Sequence, residues 1–317
     1  MATEGGRKVG IVGTGMVGAS FAYALMQRSL TNEMVLIDAN RGRAEAEAMD
    51  LQHGLPFVRP IDIRAGDYAD LAGAAITVVT AGAAQKPGET RLQLLERNAA
   101  IFRQIIPPIA EHNPDGIIVV ATNPVDIMTS LTIKYSGLPA QRVIGSGTVL
   151  DTARFRSMLG EHYNVDPRSV HAYIVGEHGD SELPLWSTAT IGGMRLEDYQ
   201  PAGGQKIDRA TRERIFERTR DAAYAIIERK GATYYAIGLG LLAVVESILR
   251  NQRSVLTVSS QMTGQYGVSD ICISLPTIVG SGGAEEVLLL SISPEEEEGF
   301  RRSATTLKER LAQVAGE

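Results

Sequence analysis

The stretch that decides the fold lies near the start of the chain, where residues 8–38 read KVGIVGTGMVGASFAYALMQRSLTNEMVLID. Residues 8–12 are mostly apolar and predict a strand, and residues 15–28 predict a helix. Residues 34–38 predict a second strand. A strand, a helix and a strand in this order are typical of a βαβ unit with parallel strands.

Three glycines occupy the turn between the first strand and the helix. Gly13, Gly15 and Gly18 fit the pattern G-x-G-x-x-G, and Asp38 follows Gly18 by twenty residues, at the end of the next strand. This spacing is typical of a dinucleotide site, in which the helix N-terminus faces the phosphates and the acid accepts hydrogen bonds from the adenosine ribose. A carboxylate would repel a 2′-phosphate, so the pattern favours NAD over NADP. The alternative is a structural glycine turn beside a surface aspartate.

The rest of the first half continues the alternation of strands and helices. Helices are predicted over residues 43–52 and 92–111, and strands over residues 61–63, 75–80 and 116–121. Residues 117–120 are Ile-Ile-Val-Val with no polar alternation, which is typical of strands covered on both faces. A parallel sheet is therefore predicted.

The second half has a different pattern. Helices are predicted over residues 150–159, from 205 to about 231, over 234–250 and from 293 onward, and strands over residues 170–175, 187–191, 255–259 and 270–276. The last two strands are expected to be antiparallel. The predicted fold is α/β, with a Rossmann-type NAD-binding domain over residues 1–145 and an α+β catalytic domain with antiparallel strands over residues 146–317.

The composition limits the class of protein. The chain has 317 residues, a net charge of −6, 44% hydrophobic and 21% charged residues, which is typical of a globular protein and gives no reason to expect nucleic-acid binding. No apolar run reaches the roughly 20 residues that span a bilayer, and residues 1–8 lack the apolar core of a secretory signal. Cys272 stands alone in an apolar run, so a buried, inert thiol and a cytoplasmic location are expected.

Three polar segments interrupt the apolar pattern. Residues 82–91 follow a predicted parallel strand and are rich in glycine and charge, which is typical of a mobile lid beside a ligand site. Asp151 and Arg154 are three apart and share a helix face. His178 is flanked by glycine in residues 176–181.

These segments together carry what the reduction of a 2-keto acid requires. His178 is suited to protonate the developing alkoxide, and Asp151 could orient its ring. Arg154 could bind the substrate carboxylate with two hydrogen bonds, and Arg91 could polarise the keto oxygen. Taken singly, His178 could instead be a structural histidine, Asp151 and Arg154 a solvated pair, and Arg91 a surface charge. Spacing alone does not bring them together.

The chain resembles the lactate/malate dehydrogenase family, and within it the bacterial L-lactate dehydrogenases, over nearly its whole length. The matching stretches are residues 9–18, 50–54, 81–98, 121–126, 145–156, 176–181 and 231–233. Several long motifs in the same order make the resemblance specific. It predicts an NAD-dependent oxidoreductase without a metal, in agreement with the five histidines, which form no close ligand cluster in the sequence: His53, His112, His162, His171 and His178.

The resemblance implies roles for individual residues. His178 would be the proton donor and acceptor, Asp151 its partner, and Arg91 the group that polarises the carbonyl. Substrate would be bound by Gln85, Arg91, Asn123, Arg154 and Thr233. NAD would be bound by Gly13, Gly15, Met16, Val17, Gly18, Asp38, Arg43, Tyr68, Gly82, Ala83, Gln104, Ala121, Asn123 and Ser146. Arg43 is commonly lysine in relatives, which keeps the charge, and Gln104 is a less informative match.

The loop at residues 82–91 decides between substrates. Malate dehydrogenases carry arginine six residues before the position of Arg91, where this chain has Gln85. An amide cannot neutralise the second carboxylate of oxaloacetate, and burying that charge unpaired would cost several kcal/mol. Thr233 matches the small residue on this side of the pocket in lactate dehydrogenases. The prediction is reversible reduction of pyruvate to (S)-lactate, the last step of homolactic fermentation; the alternatives are a malate dehydrogenase and a non-catalytic NAD-binding protein.

A second, allosteric site is suggested by Arg156 and His171. Arg154 and Arg156 are two apart, so on a helix they point in different directions. In bacterial relatives, an arginine and a histidine at these places bind fructose 1,6-bisphosphate across a subunit interface. The resemblance therefore implies a homotetramer activated by this effector. The alternative is an ordinary surface arginine and a strand histidine.

Overall fold

The computed structural model describes residues 7–83, 88, 90–199 and 206–315 of the chain. Its N-terminal half alternates strands and helices, as the sequence predicts. The elements are β1 (Lys8–Val12), α1 (Met16–Arg28), β2 (Glu33–Ile37), α2 (Arg41–His53), β3 (Asp62–Ala65), β4 (Ile76–Val79), α3 (Arg91–His112), β5 (Ile117–Val120), α4 (Val125–Ser136) and β6 (Val143–Gly145).

The C-terminal half combines long helices with antiparallel strands. The elements are α5 (Val149–Tyr163), β7 (Val170–His171), β8 (Ile174–Val175), β9 (Leu183–Pro184), β10 (Thr190–Ile191), β11 (Met194–Arg195), α6 (Arg209–Lys230), α7 (Tyr235–Leu249), β12 (Ser254–Thr263), β13 (Ser269–Gly280), β14 (Gly283–Val287) and α8 (Pro294–Ala315). The predicted α/β fold class is confirmed.

The main sheet of the described chain runs across both halves. Its strand order is β14-β13-β12-β6-β5-β4-β1-β2-β3. Strands β1 to β6 are parallel, in the doubly wound order 3-2-1-4-5-6, and β12 to β14 are antiparallel. Strand β12 joins the parallel part by pairing Ser259 with Gly145 of β6. The antiparallel strands therefore extend the nucleotide-binding sheet.

Helices cover both faces of this sheet. Helices α1, α2 and α7 contribute to one apolar core, with Phe21 and Leu241 among its buried residues. Helices α3, α4 and α8 contribute to the other core, around Phe102 and Phe300. Because both faces are covered, the central strands β4 and β5 are buried throughout. A smaller core around Phe155 joins α5 and α6 to the short strands of the C-terminal half.

Several elements differ from the sequence prediction, and the strands β6, β9, β11 and β14 were not predicted at all. The predicted strand at residues 170–175 is two short strands, because β7 pairs with β10 whereas β8 pairs with β9. Of the predicted strand at 187–191, only Thr190–Ile191 pairs. Helix α4 was not predicted; seven of its twelve residues are buried, so the polar stripe that reveals an amphipathic helix is missing.

Two further expectations concern the cysteine and the membrane. Cys272 lies in β13 and is 1% exposed, and burial raises the pKa of its thiol to about 12. The predicted buried, inert thiol is therefore supported, because the thiolate is the nucleophilic form. Among the described helices, none combines the length and the apolar character needed to cross a membrane.

Candidate active site

The glycine loop connects β1 to α1 and is closed on its protein side. Gly13 has φ +98, and a Cβ added there would collide with the backbone of Ala81. A Cβ at Gly18 would collide with the carbonyl oxygen of Gly13. A Cβ at Gly15, in contrast, would meet no protein atom within 4 Å. The loop therefore leaves open space at the helix N-terminus, where a dinucleotide places its phosphates.

Asp38 lies directly after β2 and holds the glycine loop. Its Oδ2 accepts hydrogen bonds from the backbone nitrogen of Thr14 at 2.7 Å and from the Thr14 hydroxyl at 3.0 Å, and its Oδ1 accepts one from the nitrogen of Asn40 at 2.9 Å. Burial opposes the charge, but these bonds and the charge of Arg43 lower the pKa of Asp38. Asp38 is therefore ionised at neutral pH, as recognition of ribose hydroxyls requires.

The loops after β4 and β5 are joined by Asn98, a buried residue of α3. Its Oδ1 accepts a hydrogen bond from the nitrogen of Ala83 at 2.8 Å, and its Nδ2 donates one to the carbonyl oxygen of Asn123 at 2.9 Å. A Cβ at Gly82 would press against the side chain of Thr122. The segments that carry Gly82, Ala83 and Asn123 are therefore held close together beside β1, at the carboxyl edge of the parallel sheet.

The other predicted cofactor residues occupy varied positions. Met16 is exposed at the start of α1 and Val17 is partly buried beside it. Tyr68 is partly buried, Ala121 follows β5, and buried Ser146 follows β6, where its nitrogen donates to the carbonyl oxygen of Val120 at 2.7 Å. Arg43 and Gln104 are exposed, on α2 and α3.

Two predicted substrate residues cannot be placed. Gln85 lies outside the described residues, and so does the side chain of Arg91, whose backbone begins α3. Their proposed roles stay predictions from the sequence.

His178 and Asp151 meet although they lie on different segments. The Nδ1 of His178 lies 2.6 Å from Oδ2 of Asp151. The other oxygen of Asp151, Oδ1, accepts a hydrogen bond from Nη1 of Arg154 at 2.8 Å. The side chains of Asp151, Arg154 and His178 are 3%, 12% and 25% exposed. Because Nδ1 is engaged by the carboxylate, Nε2 is the nitrogen that remains for a substrate.

The charges of this group favour a protonated histidine. Burial by itself would lower the pKa of His178, but the charge and the hydrogen bond of Asp151, together with the charges of Asp126 and Glu182, raise it to about 9. Burial would raise the pKa of Asp151, but His178 and Arg154 lower it. The pair is therefore an imidazolium and a carboxylate at neutral pH.

A second carboxyl group holds the backbone of the histidine. Asp126, in the first turn of α4, is buried, and its Oδ2 accepts a hydrogen bond from the backbone nitrogen of His178 at 2.8 Å. Burial raises the pKa of Asp126 to about 6. This contact fixes the position of the histidine loop relative to the nucleotide-binding half.

The histidine loop is also tied to the C-terminal helix. Glu177 is buried, and its carboxylate contacts the guanidinium of Arg310 and the hydroxyl of Ser181. The backbone nitrogen of Glu177 donates to the hydroxyl of Ser303 at 2.8 Å. Helix α8 therefore supports the backbone that carries His178.

These residues line a cavity of about 560 Å³ at the carboxyl edge of the sheet. The cavity is bounded by α3, α5, α6, α8 and the histidine loop. Its described lining residues are Leu92, Leu94, Leu95, Asn123, Pro124, Asp151, Arg154, Glu177, His178, Gly179, Asp180, Glu182, Arg220, Ala223, Tyr224, Arg310 and Gln313. Thr233 lies in the turn between α6 and α7. A proton donor, a cation and an amide thus meet in one space large enough for a small acid.

Comparisons with known proteins give the family. Residues 7–145 match the model of the NAD-binding domain of lactate/malate dehydrogenases, and residues 148–317 match the model of the α/β C-terminal domain of the same family. The chain belongs to the lactate/malate dehydrogenase family. Its N-terminal half is therefore the NAD-binding domain of this family, and the cofactor predicted from the glycine loop and Asp38 is confirmed.

Individual relatives of this family member are similar over their whole length. The chain is 53% identical to an L-lactate dehydrogenase of Acetivibrio thermocellus, with 96% of each chain covered, and 48% identical to L-lactate dehydrogenase 1 of Clostridium acetobutylicum, with 97% of this chain and 98% of the relative covered. A solved structure of a minor L-lactate dehydrogenase of Enterococcus mundtii with bound ligands is 46% identical. It superposes with a TM-score of 0.95, covering 98% of this chain and 99% of that chain.

The two residues of the suggested allosteric site lie outside the cavity of this dehydrogenase. Arg154 turns toward Asp151, whereas Nη2 of Arg156 donates to the carbonyl oxygens of Pro167 and Arg168, both at 3.4 Å. His171 is exposed on β7, shortly after these carbonyl groups. The two arginines of α5 therefore point to different places, as their spacing predicts.

Several residues of the site escaped the sequence prediction. The polar side chains of Asn98 and Asp126 hold the loops that carry predicted site residues, and those of Glu177, Glu182 and Arg310 line the cavity. Asn98 could have been found, because it shares the apolar stripe of α3 with Leu95 and Phe102, three and four residues away. Asp126 and Glu177 lie in the stretches 121–126 and 176–181 that the sequence singles out, but the contacts of these two residues, of Glu182 and of Arg310 form only on folding.

Proposed function

We propose that the protein is an NAD-dependent L-lactate dehydrogenase, EC 1.1.1.27, which reversibly reduces pyruvate to (S)-lactate. The observation that carries this proposal is the contact between His178, Asp151 and Arg154 at a cavity that adjoins the NAD-binding domain. Relatives at about 50% identity are named L-lactate dehydrogenases, which supports the same activity. The proposal places the enzyme in the cytoplasm, at the last step of homolactic fermentation.

His178 donates and accepts the proton that pyruvate gains and lactate loses. Its Nε2 is positioned to donate a proton to the keto oxygen of pyruvate as the alkoxide develops, and to take it back in lactate oxidation. Asp151 keeps Nδ1 protonated and stabilises the imidazolium, so the ring presents Nε2 in one orientation. When bound, NADH supplies the hydride that reduces the carbonyl carbon.

Arg154 binds the substrate carboxylate. Its guanidinium is largely buried and one nitrogen is fixed by Asp151, so the planar fork is already oriented before substrate arrives. The side-chain amide of Asn123 would hydrogen-bond the substrate beside the nicotinamide, and Arg91 would polarise the keto oxygen.

Gln85 supports pyruvate over oxaloacetate as the substrate. Arg154, one of the cations that line the cavity, is assigned to the carboxylate that pyruvate and oxaloacetate share. Oxaloacetate has a second carboxylate, and the amide of Gln85 supplies no positive charge to pair with it. The test is steady-state kinetics with NADH and each keto acid, in parallel for the Gln85→Arg variant. We expect a higher kcat/KM for pyruvate in the parent and a shift toward oxaloacetate in the variant. A parent that prefers oxaloacetate would refute the assignment.

The proposal includes a homotetramer regulated by fructose 1,6-bisphosphate. Arg156 and His171 would bind the phosphates; the nearby guanidinium of Arg168 is paired with Asp166 at 2.6 Å. A groove of about 980 Å³ between α1, α2 and α7 exposes Met16, Tyr23 and Leu239, which supports burial against a second copy of the chain.

The regulatory proposal has a separate test. Pyruvate saturation curves and sedimentation velocity are measured with and without fructose 1,6-bisphosphate, on the parent and on Arg156→Gln. We expect the effector to lower the KM for pyruvate and to favour the tetramer in the parent only. Identical curves and identical sedimentation with and without effector would contradict regulation and leave the catalytic assignment untouched.

A further inference from the structure

Glu182 lies beside the catalytic pair without a role in the mechanism above. It follows the histidine loop, immediately before β9, and its backbone nitrogen donates to the carbonyl oxygen of Gly179 at 3.2 Å. The residue is 6% exposed and lines the same cavity as His178. Its Oε1 is buried and has no hydrogen-bond partner among the described residues. A buried, unsatisfied carboxyl oxygen at a catalytic cavity calls for a functional explanation.

The carboxyl group of Glu182 is close to both members of the pair. One ligand atom each of Asp151, His178 and Glu182 lies within 4.8 Å of the other two. This group could be mistaken for a metal site. However, Asp151 already binds the histidine at 2.6 Å and the guanidinium of Arg154 lies against the same carboxylate, so its positive charge would oppose a cation. The short distances therefore indicate electrostatic coupling to the histidine.

The pKa of Glu182 is raised above the usual range of a glutamate. Burial, and then the negative charge of Asp151, raise its pKa to about 8, although His178, Arg154 and Arg220 act in the opposite direction. Glu182 is therefore a neutral acid at pH 7. It gains its charge at about the pH where the imidazolium of His178 begins to lose its proton.

Other charged groups also surround His178. Asp151 is ionised, Arg154 is cationic, and Asp126 has completed its ionisation, since its pKa is about 6. Further out, ion pairs or hydrogen bonds hold Glu177 with Arg310, Arg220 with Asp221, and Asp180 with Tyr224.

We propose that Glu182, whose buried carboxyl group lies beside both Asp151 and His178 at the cavity, is a positioning residue that holds the catalytic proton on His178. The inference deepens the proposed function and rests on it. Because pyruvate reduction needs the imidazolium and lactate oxidation needs the neutral ring, an ionised Glu182 extends reduction to higher pH and delays oxidation. No bond forms to Glu182, and no proton passes through it.

The experiment compares the parent with Glu182→Gln, which keeps size and polarity but cannot ionise. For kcat/KM of pyruvate reduction, we expect the alkaline limb of the pH profile to move down by about one pH unit. At pH 6, where Glu182 is already neutral, the variant should stay within about twofold of the parent, because the charge state of the site is the same. At pH 8, lactate oxidation by the variant should rise severalfold. An alkaline limb at the parent's pH would overturn the proposal.

Two further measurements make the result specific. Glu161→Gln removes a carboxylate from the exposed end of α5, where the side chain is 69% exposed, and should leave the alkaline limb in place. The pH dependence of the affinity of the enzyme–NADH complex for oxamate, an unreactive pyruvate analogue, should show the same downward shift in Glu182→Gln.

If Glu182→Gln is not folded at pH 6, Glu182→Met removes the same charge and must show the same shift. A parent that does not reduce pyruvate would refute the proposed function, whereas an active parent with an unmoved variant refutes this inference alone.

Discussion

Nδ1 of His178 lies 2.6 Å from Oδ2 of Asp151, although 27 positions separate the two residues in the chain. Because Asp151 is buried, its charge is poorly screened, and this charge, its hydrogen bond and the charges of Asp126 and Glu182 together outweigh the effect of burial on the pKa of the histidine. The proton that reduction requires is thus stabilised before substrate binds. This contact orients the ring and contributes to keeping it charged.

Replacing Asp151 with asparagine should separate these two effects. Asp151→Asn keeps a hydrogen-bonding group of the same size but removes the charge, so the pKa of His178 should fall. We expect kcat/KM for pyruvate at pH 7 to fall by about 10²–10⁴-fold, the usual contribution of general acid catalysis. The alkaline limb should also move to lower pH. The measurement is the pH dependence of NADH oxidation; a variant with parental rate and profile would show that Asp151 does not tune the histidine.

The parent enzyme should show opposite pH dependences in its two directions. The pKa of His178 is raised to about 9, so the imidazolium persists through neutral pH and is lost as the pH rises through about 9. Pyruvate reduction, which uses the charged ring, should therefore decline through that range, while lactate oxidation should increase. The test is to measure kcat/KM from initial rates in both directions between pH 6 and 10, with ionic strength held constant. Parallel profiles in the two directions would be incompatible with His178 as the shared proton group.

Replacing Arg154 with lysine should mainly weaken substrate binding. A lysine keeps the charge but loses the planar fork that can bind a carboxylate with two hydrogen bonds while one nitrogen contacts Asp151. A lost hydrogen bond between charged groups costs about 1.5–3 kcal/mol, so kcat/KM for pyruvate should fall by about 10–150-fold. Arg218→Lys, an exposed substitution on α6, is the matched control and should keep parental kinetics. Equal kinetic constants for Arg154→Lys and the parent would exclude Arg154 as the carboxylate site.

Local sequence pattern predicts the parts of the site that are encoded within one segment, whereas the pairing of His178 with Asp151 across 27 positions was predicted from the family resemblance. The glycine loop and Asp38 belong to one βαβ unit, so local pattern is sufficient for them. Asp126 and His178 are 52 positions apart, and Glu177 and Arg310 are 133 apart; such pairs arise only when α4 and α8 pack beside the histidine loop. The mostly buried helix α4 was missed for the same reason, because its neighbours in space determine its burial.

The ion pair between Glu177 and Arg310 should stabilise the fold and hold the histidine loop. Glu177 is buried, whereas Arg310 is partly exposed, so Arg310→Met leaves a buried charge without its cation. Loss of one partner of a buried pair costs about 3–5 kcal/mol, and we expect a clear decrease in the free energy of unfolding at pH 7. The double variant Glu177→Gln/Arg310→Met should recover part of that loss, since it removes the orphaned charge. Urea denaturation of the parent, Glu177→Gln, Arg310→Met and the double variant measures the coupling; additive effects would mean that the two side chains do not interact.

Asp38 should determine the preference between the two nicotinamide cofactors. Its carboxylate is ionised and lies against Thr14 of the glycine loop, so it favours ribose hydroxyls and repels a 2′-phosphate. Asp38→Ser removes the charge but keeps a small acceptor. We expect kcat/KM for NADH to fall by about 10–100-fold, which corresponds to the free energy that hydrogen bonds to a charged group contribute. We expect kcat/KM for NADPH to rise.

The ratio of the two constants, measured at saturating pyruvate, tests this prediction. Asp62→Ser, an exposed change at the start of β3, should leave the ratio unaltered. If Asp38→Ser also leaves it unaltered, another residue must discriminate between the cofactors.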